Sequence, residues 1–433
     1  MAAPKKVFGN CLQTDISQAT ESLPSPSFNW LTSSKDKKMT SLAHSLHTTT
    51  GKLTPGALSR RGLLGAVAAL PVAFHSPLRA QDNTPLKIAQ STSLTGPLAD
   101  LGRALNLGAK VYFSALNAKG GINGRPVELN AADDGYDVQR ALANVKGFIA
   151  DPSCFAIFNC LGTPMVEAML PQVIESGIPF FAPFTGALSA RPKNARNVFN
   201  IRASYADETA HLVQHLATIG IKRIAIVHQN NAFGKDVASA ARTLIASHKL
   251  TETALATVEN NASDASAAAA KIAASQPEAV IMGLAGKPTV DFVKAIRQQR
   301  RGLPLYALSV MGSAATLKAM AEDATGITVS QVMPLPTNNG LPLAREFQQA
   351  WKAAGVALEP SHIALEGYVN ARVFAEALRR AGRNPTRSSF INSAWSLKHY
   401  DLGGFEVSFT DSARSASRFV ELTMVSRQGG FIR

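Results

Sequence analysis

Residues 86–134 read LKIAQSTSLTGPLADLGRALNLGAKVYFSALNAKGGINGRPVELNAADD. Two short apolar runs, 86–90 and 127–132, enclose an amphipathic segment at 99–118. The runs have the length of buried strands, and the segment between them has the apolar period of a helix. A crossover that contains a helix joins parallel strands. The stretch therefore predicts an α/β fold.

The same alternation continues along the chain in two series. Further strands are predicted at 155–158 and 179–182 in the first series, and at 223–227, 253–258, 279–283, 304–307 and 327–332 in the second. Helices are predicted at 138–150, 164–176, 207–219, 235–248, 264–275 and 287–300, with Thr163 as the N-cap of the third helix of the chain and Pro164 as its first residue. Alternation of this kind predicts parallel sheets covered by helices on both faces.

Two series predict two doubly wound parallel-sheet lobes joined by a hinge of several strands. Helices predicted at 342–354, 361–381 and 386–395 are expected to return to the first lobe, and alternating residues at 405–409 and 419–425 predict late strands. We therefore expect the first lobe to contain 84–202 and 334–398. The second lobe is expected to contain 203–333 and 399–433.

Composition is typical of a globular protein. The 433 residues are 46% hydrophobic and 17% charged, with a mean hydropathy of +0.03, which excludes a chain disordered by composition. The net charge of +14 is partly due to residues 1–80, which hold nine of the 44 basic and three of the 30 acidic residues. The remaining basic residues are scattered, so the sequence gives no basic patch and no nucleic-acid partner is expected.

Residues 1–80 have the features of an export leader. Arg60 and Arg61 precede a 13-residue apolar run at 62–74, which is too short to span a membrane and resembles a twin-arginine signal. Cleavage is expected after Ala80, leaving no stable membrane insertion, and Met39 gives a start with a more ordinary signal length. A cytosolic tail with a chance arginine pair stays open as the alternative.

Cys154 and Cys160 are the two cysteines beyond the leader. They enclose a predicted strand, and an extended chain of that length holds them about 20 Å apart, beyond the reach of a disulfide. We expect two free, buried thiols without a reactive role.

Small and hydroxylated residues follow the first, third and fourth predicted strands, at 91–97, 159–163 and 183–187. Doubly wound sheets bind ligands at the carboxyl ends of their strands. Hydroxyl groups and glycine beside a helix N-terminus suit an anion such as a carboxylate. The same residues also serve as caps and turn formers, and both interpretations stay open.

Motifs of other function classes are missing from the sequence. No glycine-rich dinucleotide or phosphate-binding loop follows a strand, and no nucleophile elbow is present. We therefore expect no cofactor and no enzymatic activity. His211 and His215 have a spacing that occurs in zinc sites but lack a third ligand, and Asp137 is expected to cap the following helix while Asp133 and Asp134 form a strand-end turn, so no metal site is expected.

Several of these stretches together resemble the leucine/isoleucine/valine-binding protein family of periplasmic solute receptors. The resemblance rests on 93–97 (SLTGP), 116–126 (LNAKGGINGRP), Asp133 and Asp134, 177–183 (GIPFFAP) and 223–228 (RIAIVH). It implies a type I periplasmic binding protein fold, a periplasmic location and delivery of a solute to the membrane permease of an ABC importer.

The resemblance also implies a binding site. Thr163 corresponds to a hydroxyl that holds the ligand carboxylate, and the 184–186 segment supplies further donors. Leu101, Phe233, Ala285 and Ser309 are placed around the rest of the ligand. With the hydroxyls that follow the first strand, the expected ligand contacts are Ser93, Thr95, Leu101, Thr163, Phe184, Thr185, Gly186, Phe233, Ala285 and Ser309.

Three departures from the family pattern bear on the ligand. Leu101 replaces a frequent aromatic residue, Tyr136 and Gly162 replace the cysteines of a family disulfide, and Ser309 stands where amino-acid binders place an acid. The second-lobe strand ends carry no acid, and burying an ammonium without one costs several kcal/mol. We expect an aromatic, keto or hydroxy acid rather than an α-amino acid, although Glu366 leaves an amino-acid binder open. A ligand sensor that acts on a signalling partner is the other alternative.

Overall fold

The computed structural model describes residues 84–410 and 415–433. The strands of the first lobe are β1 (Leu86–Thr92), β2 (Val127–Asp133), β3 (Cys154–Phe158), β4 (Phe180–Phe181) and β5 (Val198–Phe199). They form a parallel sheet in the order β2-β1-β3-β4-β5. The helices between them are α1 (Ala99–Asn117), α2 (Val138–Ala150) and α3 (Thr163–Ser176). The expected α/β fold is confirmed, with the carboxyl ends of these strands at one edge.

The second lobe has the same alternation of helices and parallel strands. Its helices are α4 (Tyr205–Thr218), α5 (Ala232–Ser247), α6 (Ala265–Ala274), α7 (Lys287–Gln299) and α8 (Ala314–Met320), and its parallel strands are β6 (Arg223–Gln229), β7 (Thr251–Val258), β8 (Ala279–Gly283), β9 (Leu305–Ala307) and β10 (Thr328–Gln331). The chain then forms α9 (Pro342–Ala353), α10 (His362–Arg380) and α11 (Arg387–Trp395), which pack on the first lobe.

The C-terminal segment is divided between the lobes, which differs from the expected placement of 399–433 in the second lobe. Two short strands, β11 (Tyr400–Asp401) and β12 (Glu406–Val407), form a hairpin. Leu402, Phe405 and Val407 belong to the first-lobe core, because their apolar side chains pack with the phenylalanines of that lobe. In the described part of this segment, β13 (Glu421–Val425) and β14 (Phe431–Ile432) extend the second sheet, since β13 pairs antiparallel with β10 and β14 pairs antiparallel with β13.

Connections at 200–204 and 332–341 and the described residues 415–420 lie between the lobes. The first and third run side by side, since Ala416 N donates to Asn200 O and Ser417 N donates to Ile201 O, each at 2.9 Å. These bonds give the hinge a short piece of paired backbone. The hinge therefore lies next to Arg202, which is part of the first connection.

Glycines bring α1 and α10 into close contact in the first lobe. A Cβ on Gly108 would lie 1.8 Å from the Ala364 carbonyl oxygen, and one on Gly367 would lie 2.1 Å from the Leu105 carbonyl oxygen. Only glycine allows backbones to approach this closely. The contact holds α10 against α1 and so sets the position of Glu366.

Within residues 84–410 and 415–433, every helix is either too short or too polar to span a bilayer. The leader expected at 1–80 lies outside the described residues.

Candidate functional site

A narrow cavity lies between the two lobes. Its wall from the first lobe consists of residues that follow β1, β2, β3 and β4, and its wall from the second lobe consists of residues at the starts of α4 and α5 and after β8 and β9. The cavity encloses about 20 Å³, which is room for about one water molecule. The lining residues are Leu98, Leu101, Tyr136, Leu161, Gly162, Thr163, Phe184, Tyr205, Phe233, Ala285 and Val310. Half of the ten expected ligand contacts are therefore together here, in what we call the cleft cavity.

The polar side of the cleft cavity is the start of α3. Gly162 is the N-cap, with a φ of 99° that favours glycine, so Thr163 is the first residue of the helix rather than its expected cap. The Thr163 hydroxyl is therefore free of the capping role and lies 2.7 Å from the Thr185 hydroxyl oxygen. Thr185 Oγ1 also accepts a hydrogen bond from Ala187 N at 3.1 Å. The two threonines form a buried hydroxyl pair beside a helix N-terminus.

Aliphatic and aromatic side chains form the rest of the wall. Leu101 and Phe184 from the first lobe and Phe233 from the second are buried in one cluster that crosses between the lobes. Tyr205 packs edge-on against Phe233, with ring centroids 5.1 Å apart. The structure also adds Tyr136, whose hydroxyl accepts a hydrogen bond from Asn231 Nδ2 at 3.4 Å. Sequence reasoning noted Tyr136 only as the replacement of a cysteine.

Ser93 and Thr95 are not brought to the cleft cavity. The Ser93 hydroxyl donates to Asp134 Oδ1 at 2.9 Å, and the Thr95 hydroxyl donates to Asp133 Oδ2 at 2.6 Å. Asp133 also accepts from the Leu94 and Thr95 backbone N–H groups, and the Thr95 hydroxyl is the main cause of a lowered pKa at Asp133. The two hydroxyls therefore shape the loop that leads into α1, and Leu101 lies in the first turn of that helix.

Gly186 contacts Tyr205 rather than the cleft cavity. A Cβ at Gly186 would lie 2.4 Å from the Tyr205 ring, and the Gly186 carbonyl accepts a hydrogen bond from Tyr205 N at 2.9 Å. Gly186 does not line the cleft cavity, but its lack of a side chain leaves room for the Tyr205 ring, which does.

Ser309 lies in a buried polar network that sequence reasoning missed. Its backbone N–H donates to Glu208 Oε2 at 2.8 Å, and its hydroxyl donates to Glu208 Oε1 at 3.0 Å. Ser330 Oγ donates to Glu208 Oε2 at 2.8 Å. Arg202 Nη2 donates to Ser309 Oγ and lies 3.3 Å from Glu208 Oε1. Four donors therefore surround the Glu208 carboxylate.

Arg202 connects this network to the cleft cavity. Its guanidinium carbon lies 4.6 Å from the centroid of the Phe184 ring, and its side chain is 1% exposed. Glu366 of α10 lies 3.6 Å from Arg202 Nη1. Within residues 84–410 and 415–433, Arg202 Nε and Nη1 have no hydrogen-bond partner. Arg202 is thus a buried cation between the Glu208 and Glu366 side chains, and two of its nitrogens have N–H groups without an acceptor.

Comparison with known proteins decides the family. The model of the periplasmic binding protein family matches residues 85–430. The chain belongs to the periplasmic binding protein family. This confirms the resemblance on which the site expectations rest, and it makes the protein a binding protein rather than an enzyme.

Individual proteins similar to this chain are also solute-binding proteins by name. A substrate-binding periplasmic protein from Ralstonia solanacearum is 35% identical, with a TM-score of 0.76 over 80% of this chain and 99% of that one. The Leu/Ile/Val-binding protein homolog 3 of Brucella melitensis biotype 1 is 24% identical over 74% of this chain and 85% of its own length. An ABC transporter solute-binding protein from R. palustris in complex with benzoate shares the fold, at 19% identity and a TM-score of 0.72, over 80% of this chain and 95% of that one.

Within this periplasmic binding protein, the acid next to Ser309 corrects one step of the sequence argument. The second-lobe strand ends lack an acid, but Glu208 on the first turn of α4 reaches Ser309 from another element. Burial raises the pKa of Glu208, against the opposing effect of Arg202. Because its oxygens already accept four hydrogen bonds, Glu208 is engaged within the second lobe and with the hinge.

Glu366 is the second acid that the structure brings to this region. Burial raises the pKa of Glu366 to about 7, with Arg202 opposing the shift. The network therefore holds one arginine, one carboxylate bonded by four donors, and one carboxyl group that changes charge near neutral pH.

Other sequence candidates in this binding protein have local roles. Asp137 caps α2 as expected, accepting a hydrogen bond from Arg140 N at 2.8 Å. His211 Nδ1 pairs with the Asp207 carbonyl, and the His215 ring packs near Tyr306. Cys154 and Cys160 are free and buried as expected, and burial raises the pKa of Cys154 to about 11.

Proposed function

We propose that this protein is the exported solute-binding component of an ABC importer and that it closes on a small carboxylate without an α-ammonium group. Aromatic, keto and hydroxy acids are the favoured ligands. One observation carries the proposal: Thr163, at the start of α3, lines a cleft cavity whose other walls are mostly apolar and aromatic, and its hydroxyl pairs with that of Thr185, which is buried but does not itself line the cavity.

A carboxylate suits this end of the cavity for two reasons. A helix N-terminus stabilises negative charge, because its backbone N–H groups point outward and its dipole is positive there. Thr163 Oγ1 lies 2.7 Å from Thr185 Oγ1, and either hydroxyl can donate in the hydrogen bond between them. When Thr185 is the donor, the Thr163 proton can be donated to an incoming acceptor. Hydrogen bonds to a charged acceptor are stronger than those between neutral groups.

An ammonium group lacks a partner of equal quality. Glu208 accepts from Ser309, Ser330 and Arg202, so an ammonium would have to displace one of these donors. Glu366 is paired with Arg202 and does not line the cleft cavity. An uncompensated buried charge is costly, which favours ligands without the amine.

Admission of any such ligand requires the lobes to separate, because the cleft cavity encloses about 20 Å³ and its wall comes from both lobes. A two-lobed receptor with a hinge binds by this motion. Export through the twin-arginine route is part of the proposal. The route rests on the Arg60 and Arg61 pair in the sequence alone, whereas the family supports the periplasmic location.

The test compares acids that share a side chain and differ only in the group on the α-carbon. Phenylpyruvate, phenyllactate and phenylalanine form one set, and 4-methyl-2-oxopentanoate and leucine form a second, each measured by thermal shift and calorimetry. A ligand at one hundred times its dissociation constant adds about 2.7 kcal/mol of stability. The keto and hydroxy acids are expected to bind more tightly than the amino acids, and tightest binding of leucine or phenylalanine would reject the ligand class.

A further inference from the structure

A second and larger cavity, lined in part by Ser309, lies between the lobes. It encloses about 310 Å³, which is within the range of small-molecule sites. Its wall is formed by 312–314 and Leu317 at the start of α8, by 335–337 of the hinge, by 359–363 at the start of α10 and by 428–431 between β13 and β14. Both lobes and the hinge therefore contribute to what we call the hinge cavity.

The interior of the hinge cavity is uncharged. In the described chain, none of the residues that line it is lysine or arginine, and its acid, Glu359, is exposed. Burial lowers the pKa of His362 to about 3, so the imidazole is neutral at physiological pH. A buried ion without a counter-ion is costly, and an ionic ligand would find no such partner inside.

The wall combines apolar surface with hydroxyl groups from both lobes. Leu317, Val329 and Phe431 supply apolar surface. Ser313 Oγ accepts a hydrogen bond from Ala315 N at 3.2 Å, and Ser361 Oγ accepts one from Ala364 N at 3.2 Å. Since these bonds use the hydroxyl oxygens as acceptors, the hydroxyl protons can be donated to a ligand.

We propose that the hinge cavity is a binding site for an uncharged small molecule with an aromatic or alicyclic body and a hydroxyl or carbonyl group. The cavity volume suits an aromatic or alicyclic ring, and the uncharged wall disfavours ions. The Ser313 and Ser361 hydroxyls can donate hydrogen bonds to the hydroxyl or carbonyl oxygen of the ligand. This site is separate from the carboxylate site at Thr163 and does not depend on it.

Because the hinge cavity has walls from both lobes, a ligand bound there is expected to affect lobe closure. A ligand that touches both walls binds the closed arrangement better than the open one and shifts the population towards it. Ser309 lines the hinge cavity and contacts Arg202, whose guanidinium stacks on Phe184 of the cleft cavity. A neutral ligand in the hinge cavity therefore favours the same closed state as a solute in the cleft cavity.

The test uses three probes of one shape and different charge: benzyl alcohol, benzoate and benzylamine, titrated into the purified protein and followed by ligand-observed NMR. Two variants fill the hinge cavity from different positions of α8, Ala314→Trp and Leu317→Phe. Ala315→Trp is the matched control, because Ala315 is exposed on the same helix and does not line the cavity.

Benzyl alcohol is expected to bind, and at least one filling variant is expected to weaken it about tenfold or more while Ala315→Trp stays within about twofold of the parent. Benzoate binding that is weakened by Thr163→Val and not by the filling variants belongs to the cleft cavity, and this result would support the separation of the two sites. The site is refuted if benzyl alcohol does not bind, if neither filling variant weakens it, or if the charged probes bind the hinge cavity as well as the alcohol does.

Discussion

At the residue scale, Thr163 shows how a one-residue shift in a helix start changes what a side chain can do. A threonine at the N-cap position would direct its hydroxyl to its own helix. Because Gly162 takes that position with a φ of 99°, the Thr163 hydroxyl pairs with Thr185 at the cleft cavity instead. The glycine is therefore part of the reason that a hydroxyl pair exists there.

Thr163→Val is expected to weaken binding of the preferred carboxylate by about 1.5 to 3 kcal/mol, because it removes a donor to a charged acceptor and keeps the branched shape. Calorimetry with the tightest acid measures the loss, and the melting temperature without ligand should stay near that of the parent. Thr243→Val on the exposed face of α5 is the control. Equal affinity of parent and Thr163→Val would remove Thr163 from the anion site.

Glu366 is expected to make stability depend on pH. Its pKa in the folded protein is about 7, above its ordinary value of 4.5, so the folded state holds the proton more strongly than the unfolded state. The stability that this proton provides is complete below about pH 4.5 and is lost as pH rises through about 7. Denaturant unfolding between pH 5 and about 8 measures the loss.

Glu366→Gln is the variant that isolates this group from the other buried acids, since glutamine resembles the protonated form. The difference in unfolding free energy between parent and variant should move in favour of the variant as pH rises from 5 to about 8. A difference that stays constant with pH would show that Glu366 does not titrate in this window.

At the scale of elements, the sequence predicts those that have a full apolar period and a clear end. The prediction at 138–150 matches α2, and the prediction at 99–118 matches α1 within one residue. The short elements β5 and α8 were missed, because two to seven residues do not establish a period. Alternation at 405–409 predicts extended chain but carries no information about which lobe covers it.

Prediction of the site from the sequence is limited in the same way, because a local pattern reveals only residues that belong to one element. Cleft residues that follow strands were found from the sequence, since parallel strands bring their carboxyl ends to one edge. Arg202, Glu208 and Glu366 come from the hinge, α4 and α10, and no local pattern joins them. One signal was available: Glu208 lies on the apolar face of α4 between Tyr205 and Leu212, where an acid needs a buried partner.

The contact between α1 and α10 gives a prediction at this scale. Gly108→Ala is expected to lower the unfolding free energy by about 1 to 3 kcal/mol, because its Cβ would overlap the Ala364 carbonyl and force the helices apart. Gly147→Ala in α2 is the control, since nothing lies within 4 Å of its Cβ, and it should be neutral or stabilising by up to about 1 kcal/mol. Denaturant unfolding of both variants measures the contrast, and similar stabilities would contradict the close packing.

At the scale of the whole molecule, the described arrangement is closed. One apolar cluster contains residues of both lobes, including Leu98 and Leu101 from the first and Phe233 and Ala285 from the second. Backbone also meets backbone across the cleft, since a Cβ on Gly286 would lie 2.5 Å from the Pro97 carbonyl oxygen. Closure therefore depends on the absence of a side chain at Gly286.

Gly286→Ala is expected to hold the lobes apart and to weaken solute binding, because the added methyl group meets Pro97 only when the lobes are shut. The substitution also strains the backbone, since the φ of Gly286 is 61°. Gly326→Ala carries the same kind of strain, with a φ of 79°, but has nothing within 4 Å of its Cβ. It separates the cost of backbone strain, about 1 to 2 kcal/mol, from the cost of blocked closure.

Small-angle scattering with and without the tightest acid measures closure, and calorimetry measures affinity. The parent and Gly326→Ala should both lose radius of gyration when saturated, because the hinge lets the lobes meet over the ligand. Gly286→Ala should keep a larger radius at the same ligand concentration and bind more weakly. If Gly286→Ala closes and binds as Gly326→Ala does, the contact between Pro97 and Gly286 does not limit closure, and the lobes meet over the solute in an arrangement that leaves these two residues apart.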